Sequence, residues 1–131
     1  MFDFRKLKDV AEYLASKEGE EYDRSAISRY YYALFGSARI YLILVLGELE
    51  FVMGRNVHRR ICDRLIYSSD STEHSLGITL DKLRQIRNFA DYDWETKDSS
   101  YFEEKLDFVK KESKIGLEQI EALRNSPPLK L

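Results

Sequence analysis

The stretch "RSAISRYYYALFGSARIYLIL", residues 24–44, decides the fold. Its apolar residues recur at spacings of three and four, which is typical of one buried face of a helix. That face comprises Ile27, Tyr31, Leu34, Ala38, Tyr41, Leu42 and Val45. The pattern predicts a long helix from about Tyr22 to Leu46, ended by Gly47. Because each residue turns a helix by about 100°, three consecutive tyrosines cannot all lie on this face.

The same spacing predicts further helices on both sides. A first helix runs from about Phe4 to Leu14, and a short third helix from about Val57 to Tyr67, with Asn56 as its N-cap. A polar loop, "SSDSTEHS" at 68–75, is expected before a fourth helix from about Leu76 to Ala90.

A fifth helix, capped by Ser99 or Ser100, carries a heptad-like seam. The seam comprises Phe102, Leu106, Val109, Ser113, Gly116, Ile120 and Leu123. Both prolines of the chain lie in "NSPPLKL" at 125–131, so nothing breaks these helices. The sequence therefore predicts an all-α, up-and-down bundle of four to five helices in one domain, residues 1–124, and a flexible tail, 125–131.

Composition narrows the classes of function. A net charge of −2 and a pI near 5.8 argue against binding nucleic acid by bulk charge, although a local basic patch is compatible with them. Cys62 is the only cysteine, so no internal disulfide forms, and metal-binding Cys/His spacing is absent from the sequence. The run "IYLILVL", 40–46, is too short to span a bilayer, and the charged first ten residues do not read as a signal peptide. We expect a cytoplasmic protein without a metal, a cofactor or a membrane partner.

The fourth helix ends in chemically active residues, "RQIRNFADYDW" at 84–94. An acid near a helix C-terminus opposes the macrodipole, so Asp91 is expected to be tied to Arg29 or Arg87. A basic stretch, "GRNVHRRICDR" at 54–64, places Arg60 and Arg64 one turn apart. These two arginines either contact an RNA backbone or form a solvated face balanced by nearby acids.

Three segments together resemble the small stand-alone members of the HEPN superfamily: "SRYYYALFGSARIYL" at 28–42, "NVHRRI" at 56–61 and "LDKLRQIRNFADYD" at 80–93. The first matches an R-x-Y-Y-A-x-F helix, the second a short helix with a histidine, and the third an R-x-x-A-D-Y ending. The matching residues are Arg29, Tyr31, Tyr32, Ala33 and Phe35, then His58, then Arg87, Ala90, Asp91 and Tyr92.

The resemblance implies a helical bundle that forms a homodimer, with a composite site across the dimer. Many members of the superfamily are metal-independent endoribonucleases of toxin–antitoxin or phage-defence systems, and others are inactive binding modules. Active members carry R-x(4–6)-H, often as R-N-x-x-x-H-x-Y. Here Arg87 and Asn88 take the first two positions, whereas Tyr92 stands at the histidine and Trp94 at the later tyrosine.

This departure falls on the residue that transfers the proton. Arginine suits phosphate because its charged fork grips two oxygens, and histidine suits proton transfer because its pKa lies near neutrality. A tyrosine with a pKa of about 10 is ionised in only about one molecule in a thousand at pH 7. Either His58 supplies the missing imidazole, or Asp91 acts as the base or holds Arg87. The alternatives without chemistry are a packed His58 and a surface Asp91.

Two classes of function follow. The first is a HEPN-type endoribonuclease of a toxin–antitoxin or phage-defence system, with Arg87, Asn88, Tyr92, His58 and Asp91 as catalytic candidates. Its candidates for contacts to RNA or phosphate are Arg29, Arg60, Arg64 and Tyr31. The second is a non-catalytic module that binds a nucleotide, an RNA or a protein partner, including a nucleotidyltransferase antitoxin. In either class we expect a homodimer.

Overall fold

The computed structural model describes residues 1–94 and 98–129 and builds them almost entirely from helices. The five α-helices are α1 (Lys6–Ala15), α2 (Glu20–Ile40), α3 (Val57–Ile66), α4 (Ser71–Tyr92) and α5 (Ser99–Asn125). A π-helical turn, Tyr41–Val45, and a 3-10 turn, Leu49–Phe51, lie between α2 and α3. Since the described residues contain no β-strand and the helices pack on one another, the predicted all-α bundle is confirmed.

Helix α2 is the centre of the bundle. It packs against α1, α4 and α5, and α3 reaches the bundle by packing against α4. The predicted apolar face of α2 is confirmed from Ile27 to Leu42, where its members are all fully buried. Over residues 33–38 α2 is buried on every side, so its central turns meet neighbouring helices instead of water.

Helix α4 begins five residues earlier than predicted, so the expected polar loop over 71–75 is wrong. The carboxylate of Asp70 accepts a hydrogen bond from the backbone N–H of Glu73 at 2.9 Å and caps the helix. Glu73 is itself buried, and it accepts hydrogen bonds from Tyr41, Arg64 and Ser68. The polar residues that suggest a loop are therefore the first turn of a helix.

Two other predicted caps are corrected. Asn56 precedes α3 but has a left-handed backbone, φ 56°, and its side chain makes no capping hydrogen bond. Asp98, and not a serine, caps α5 by accepting from the backbone N–H of Ser100 at 3.1 Å. Helix α5 extends to Asn125, and of the predicted flexible tail residues 130 and 131 lie outside the described residues. The predicted seam of α5 is confirmed, because its members are buried apart from the half-buried Leu106.

The segment between α2 and α3 is fixed by two arginines. Arg39 donates to the carbonyl oxygens of Phe51 at 2.8 Å and Val52 at 2.6 Å. Arg60 donates to the carbonyl oxygens of Glu50 at 2.6 Å and Met53 at 3.3 Å. Four successive carbonyl groups are thus satisfied by side chains, which holds the start of α3 beside α2. Among the described helices, none combines the length and apolarity needed to cross a membrane.

Candidate functional site

Arg87 is buried between α4 and α2. Only 9% of its side chain is exposed, and its guanidinium carbon lies 5.1 Å from the ring centre of Tyr31 and 5.5 Å from that of Tyr32. These contacts follow from the tyrosine run, in which Tyr30 and Tyr31 are buried and Tyr32 is half-buried at the side of α2. Aromatic faces attract a cation without accepting its N–H groups as carboxylates do. The guanidinium is therefore packed but not neutralised by the rings.

The acidic partner of Arg87 is Asp91, one turn later on α4. Their closest approach, from Nη1 to Oδ2, is 3.5 Å, which is long for a charge-assisted hydrogen bond. The hydroxyl of Ser28 also donates to the Asp91 carboxylate, at 3.4 Å. The expectation that Asp91 is tied to an arginine is confirmed, with Arg87 as that arginine. The Nε of Arg87 is buried and has no hydrogen-bond partner among the described residues.

His58, at the start of α3, lies against the same tyrosines. Its ring stacks on Phe35 at 3.9 Å and packs edge-on to Tyr32 at 5.8 Å. Its Nδ1 is 2.7 Å from the hydroxyl oxygen of Tyr31. The prediction that His58 lies near Arg87 agrees with this placement, because the imidazole and the guanidinium contact the same two tyrosine rings.

The surroundings of His58 keep its imidazole neutral. Burial lowers the pKa of His58 to about 4, and the positive charges of Arg87, Arg39 and Arg84 act in the same direction. The positive charges of three guanidinium groups therefore act on the imidazole ring of His58, which carries no charge at pH 7. A negative ligand entering this field is attracted by the arginines and relieves the repulsion that disfavours imidazolium.

Arg84 also acts on the rings of Tyr31 and His58, although no sequence motif singles it out. We call Arg84, Arg87 and His58, with the rings of Tyr31 and Tyr32, the Arg87 cluster. It lies one turn before Arg87 on α4 and pairs with Asp81 at 2.9 Å. Its Nε, like that of Arg87, is buried without a partner among the described residues. The signal in the sequence is the spacing of three between the two arginines, which places both on the same side of a helix.

Two predicted site residues lie away from the cluster. Tyr92 follows Arg87 by five residues and is therefore turned about 140° around α4, where 72% of its surface is exposed. Arg29 precedes Tyr31 by two residues, about 160° away around α2, and is also exposed. Asn88 is half-buried next to Arg87 and makes no hydrogen bond to a described residue. The structure thus assembles Arg87, Asp91 and His58, but not Tyr92 or Arg29.

Three predicted contacts to RNA or phosphate do not suit that role. Tyr31 has no exposed surface and faces His58 and Arg87, so it supports the cluster from within. The donors of Arg60 are engaged by backbone carbonyls. Arg64 binds Glu48 through two hydrogen bonds of 2.6 and 2.8 Å and Glu73 at 3.0 Å. Both arginines therefore stabilise the fold and leave few donors for a phosphate.

The polar network around Arg64 is separate from the candidate site. Burial alone raises the pKa of Glu73, but hydrogen bonds from Tyr41, Ser68 and Arg64 outweigh it, so its pKa is lowered and it stays ionised. Burial and the bond to Glu73 raise the pKa of Tyr41. These hydrogen bonds to Glu73 connect the π-helical turn with α3 and α4. The donors are used within the fold and are not free to bind a ligand.

What the Arg87 cluster can do chemically is bind an anion. It holds two guanidinium groups whose buried Nε–H donors have no partner among the described residues, a neutral imidazole and an aromatic wall, and the neighbouring Asp91 is exposed. The described residues contain no group of three or more histidine, cysteine, aspartate or glutamate side chains placed to hold a metal ion. No protein-family model, no curated protein and no solved structure matches this chain.

Proposed function

We propose that this chain is a HEPN-like helical module that binds a phosphate group of a nucleotide or an RNA at the Arg87 cluster. In this cluster Arg84, Arg87 and His58 supply the polar groups, and the rings of Tyr31 and Tyr32 support them. The observation that carries the proposal is the state of Arg87. Its guanidinium is buried and lies on aromatic rings. Among the described residues its Nε has no partner, and one carboxylate approaches it, at 3.5 Å.

A buried cation without close acceptors is unfavourable unless something else fills its hydrogen-bonding capacity. A phosphate oxygen accepts from guanidinium N–H groups in pairs, which matches the planar fork of Arg87 and the adjacent Nε of Arg84. The neutral imidazole beside them adds a donor or acceptor without adding charge. Binding of one phosphate thus accounts for features that packing alone leaves unsatisfied.

The geometry supports binding better than catalysis. Tyr92, which stands at the histidine position of the resembling ribonucleases, lies on the exposed side of α4, away from Arg87. The one imidazole in the cluster has a pKa lowered to about 4, which makes it a weak base at neutral pH. These observations favour the non-catalytic alternative over the endoribonuclease.

The endoribonuclease stays a second candidate on one observation. His58 and Arg87 share the rings of Tyr31 and Tyr32, so an imidazole and a guanidinium lie side by side as metal-free RNA cleavage requires. A bound phosphate raises the pKa of a neighbouring histidine.

The test compares Arg87→Met with Arg29→Met. Methionine keeps an apolar side chain between the tyrosine rings and removes the charge, whereas Arg29 is an exposed arginine outside the cluster and serves as the matched control. We expect Arg87→Met to weaken binding of adenosine 5′-monophosphate, measured by calorimetry, about 10- to 100-fold, as loss of a charged hydrogen bond does. Arg29→Met should bind like the wild type.

Both variants and the wild type are also incubated with total RNA in EDTA. Binding without cleavage supports the module, and cleavage that Arg87→Met abolishes supports the endoribonuclease. Equal binding by all three proteins, with circular dichroism showing an intact fold, overturns the proposal. If Arg87→Met unfolds, Arg87 is needed for the core. Binding of adenosine 5′-monophosphate by the wild type then supports the proposal, and its absence overturns it.

A further inference from the structure

The hydroxyl of Tyr31 lies in the interior and has one hydrogen-bond partner. Tyr31 is 0% exposed, and among the described residues the only partner of its hydroxyl is Nδ1 of His58, at 2.7 Å. A neutral imidazole carries its proton on either Nδ1 or Nε2, and the bond made by one nitrogen decides the state of the other.

The two arrangements of this bond differ in what they leave unsatisfied. If Nδ1–H donates to the Tyr31 oxygen, the phenolic hydrogen of Tyr31 is buried with no acceptor. If the phenol donates to Nδ1, only lone pairs of the Tyr31 oxygen stay unpaired, which is the smaller penalty. Burial raises the pKa of Tyr31, so the phenol keeps its proton and is available as the donor.

From the geometry of this hydrogen bond we infer that Tyr31 is a positioning residue, which holds His58 as the Nε2–H tautomer and leaves Nε2–H as a free donor. The ring is further fixed by its stack on Phe35 at 3.9 Å. Nε2 lies on the side of the ring away from Tyr31. No described residue bonds to Nε2, and it is not among the buried unpaired atoms, so it faces solvent.

The inference extends the proposed function, on which its ligand rests. Because the imidazole and the Arg87 guanidinium contact the same two tyrosine rings, we expect an anion at the arginines to find a further N–H donor, and no lone pair, at Nε2 of His58. Nδ1 is occupied by Tyr31 and Nε2 carries the proton, so the imidazole has no free site that accepts a proton from a ribose hydroxyl. His58 therefore favours ligand groups that accept a hydrogen bond, such as phosphate oxygens. It offers no acceptor to a ligand group that donates one.

The other histidine of the chain provides an internal reference. The sequence has two histidines, His58 and His74. Nδ1 of His74 contacts the carbonyl oxygen of Ile66, and a carbonyl only accepts, so His74 carries its proton on Nδ1. The two side chains are thus expected to show opposite tautomers in one sample.

The experiment is long-range ¹H–¹⁵N correlation NMR of the imidazole nitrogens at pH 7, with His74→Gln to assign the signals. We expect the Nε2–H tautomer for His58 and the Nδ1–H tautomer for His74. Titration with inorganic phosphate should shift the Nε2 signal of His58. In Tyr31→Phe, His58 should become a mixture of tautomers, and phosphate affinity should fall about three- to tenfold, as loss of one neutral hydrogen bond predicts.

The outcomes separate this inference from the proposed function. A wild-type His58 with its proton on Nδ1, or with both nitrogens protonated, overturns the inference, even if phosphate still binds. An Nε2–H tautomer whose signal ignores both phosphate and adenosine 5′-monophosphate overturns the donor role, whereas the proposed function is decided separately by the calorimetry of the wild type and Arg87→Met. Because the wild-type spectrum decides the tautomer, the inference stands or falls even if Tyr31→Phe does not fold.

Discussion

Two partly or wholly buried arginines of this chain have opposite surroundings. Arg64 meets two glutamates at 2.6 to 3.0 Å, and these carboxylates raise its pKa. Arg87 meets tyrosine rings and, among the described residues, one carboxylate at 3.5 Å. Arg64 is therefore held by short hydrogen bonds to two carboxylates, whereas Arg87 has one longer ion pair. The difference in acceptors, and not the residue type, separates a structural arginine from one suited to a ligand.

At the scale of single residues, His58 makes stability depend on pH. Burial lowers its pKa to about 4 in the folded chain, against 6.5 for an unperturbed histidine. Between these values the unfolded chain binds a proton that the folded chain does not, so stability falls as pH drops from 6.5 to 4. We expect the decrease in the free energy of unfolding between pH 6.5 and 4 to be about 2 kcal/mol smaller in His58→Gln than in the wild type. This value allows for solvent screening of a half-buried ring.

The measurement is urea unfolding of the wild type and His58→Gln at several pH values across this window. His74→Gln, which removes the other and exposed histidine, is the matched control and should keep the pH dependence of the wild type. Parallel curves for the wild type and His58→Gln would show that the imidazole is freely solvated and contradict its packing against Phe35 and the tyrosines.

At the scale of helices, two glycines allow close packing in different ways. A Cβ on Gly77 of α4 would lie 2.6 Å from the backbone nitrogen of Ile66, so α3 and α4 would have to separate. A Cβ on Gly116 of α5 would lie 2.6 Å from the Cδ1 atom of Leu34, which is the end of a side chain. We expect Gly77→Ala to destabilise the fold by about 2–4 kcal/mol.

Gly116→Ala is the paired comparison. Its overpacking is offset by the better helix propensity of alanine, about 1 kcal/mol, so its stability should lie within about 1 kcal/mol of the wild type. Chemical unfolding of both variants at one pH gives the two differences. Equal losses in the two variants would mean that α3 shifts as easily as one leucine side chain, against the close backbone contact at Gly77.

The spacing of apolar residues predicts the helices correctly where one helix face is regularly apolar. It does not predict features that depend on other interactions. Ile27 to Leu42 and the α5 seam follow from spacing alone, because burial of one helix face needs only local regularity. The start of α4 was missed although Asp70, three residues before Glu73, is a local N-cap signal, because the polar run at 68–75 also favours a loop. The burial of Glu73, in contrast, depends on a hydrogen bond from Tyr41, which is distant in sequence. The π-helical turn after Ile40 likewise has no signal in the apolar pattern.

The candidate site was predictable in the same partial way. The pairing of Asp91 with an arginine follows from electrostatics at a helix end, and His58 was placed near Arg87 through a resemblance. Tyr92 was selected through the resemblance. Because α4 continues past the predicted end at Ala90 to Tyr92, the spacing of five turns this side chain away from Arg87. Arg84 was missed because its role depends on where its Nε is buried, and only packing reveals that.

At the scale of the whole molecule, the central α2 supports both the core and the candidate site. Its inward ring, Tyr31, packs in the core and bonds to His58, so loss of core packing and loss of site geometry are coupled. The net charge is −2, so the field of the molecule as a whole does not attract polyanions. The expected homodimer and the nucleotidyltransferase partner stay predictions.

This distribution of charge sets the salt dependence of binding. Since Arg60 and Arg64 are held by internal acceptors, the proposed function leads us to expect that a bound phosphate contacts Arg84 and Arg87. Two neutralised phosphate contacts on a single strand give a slope near −1.4 for log affinity against log salt, or about a sevenfold loss between 50 and 200 mM. We expect this shallow slope for a fluorescein-labelled oligoribonucleotide measured by anisotropy, unchanged by Arg29→Met and reduced by Arg87→Met. A steep slope, with Arg29→Met lowering it, would show that RNA lies across a wider basic surface than the cluster provides.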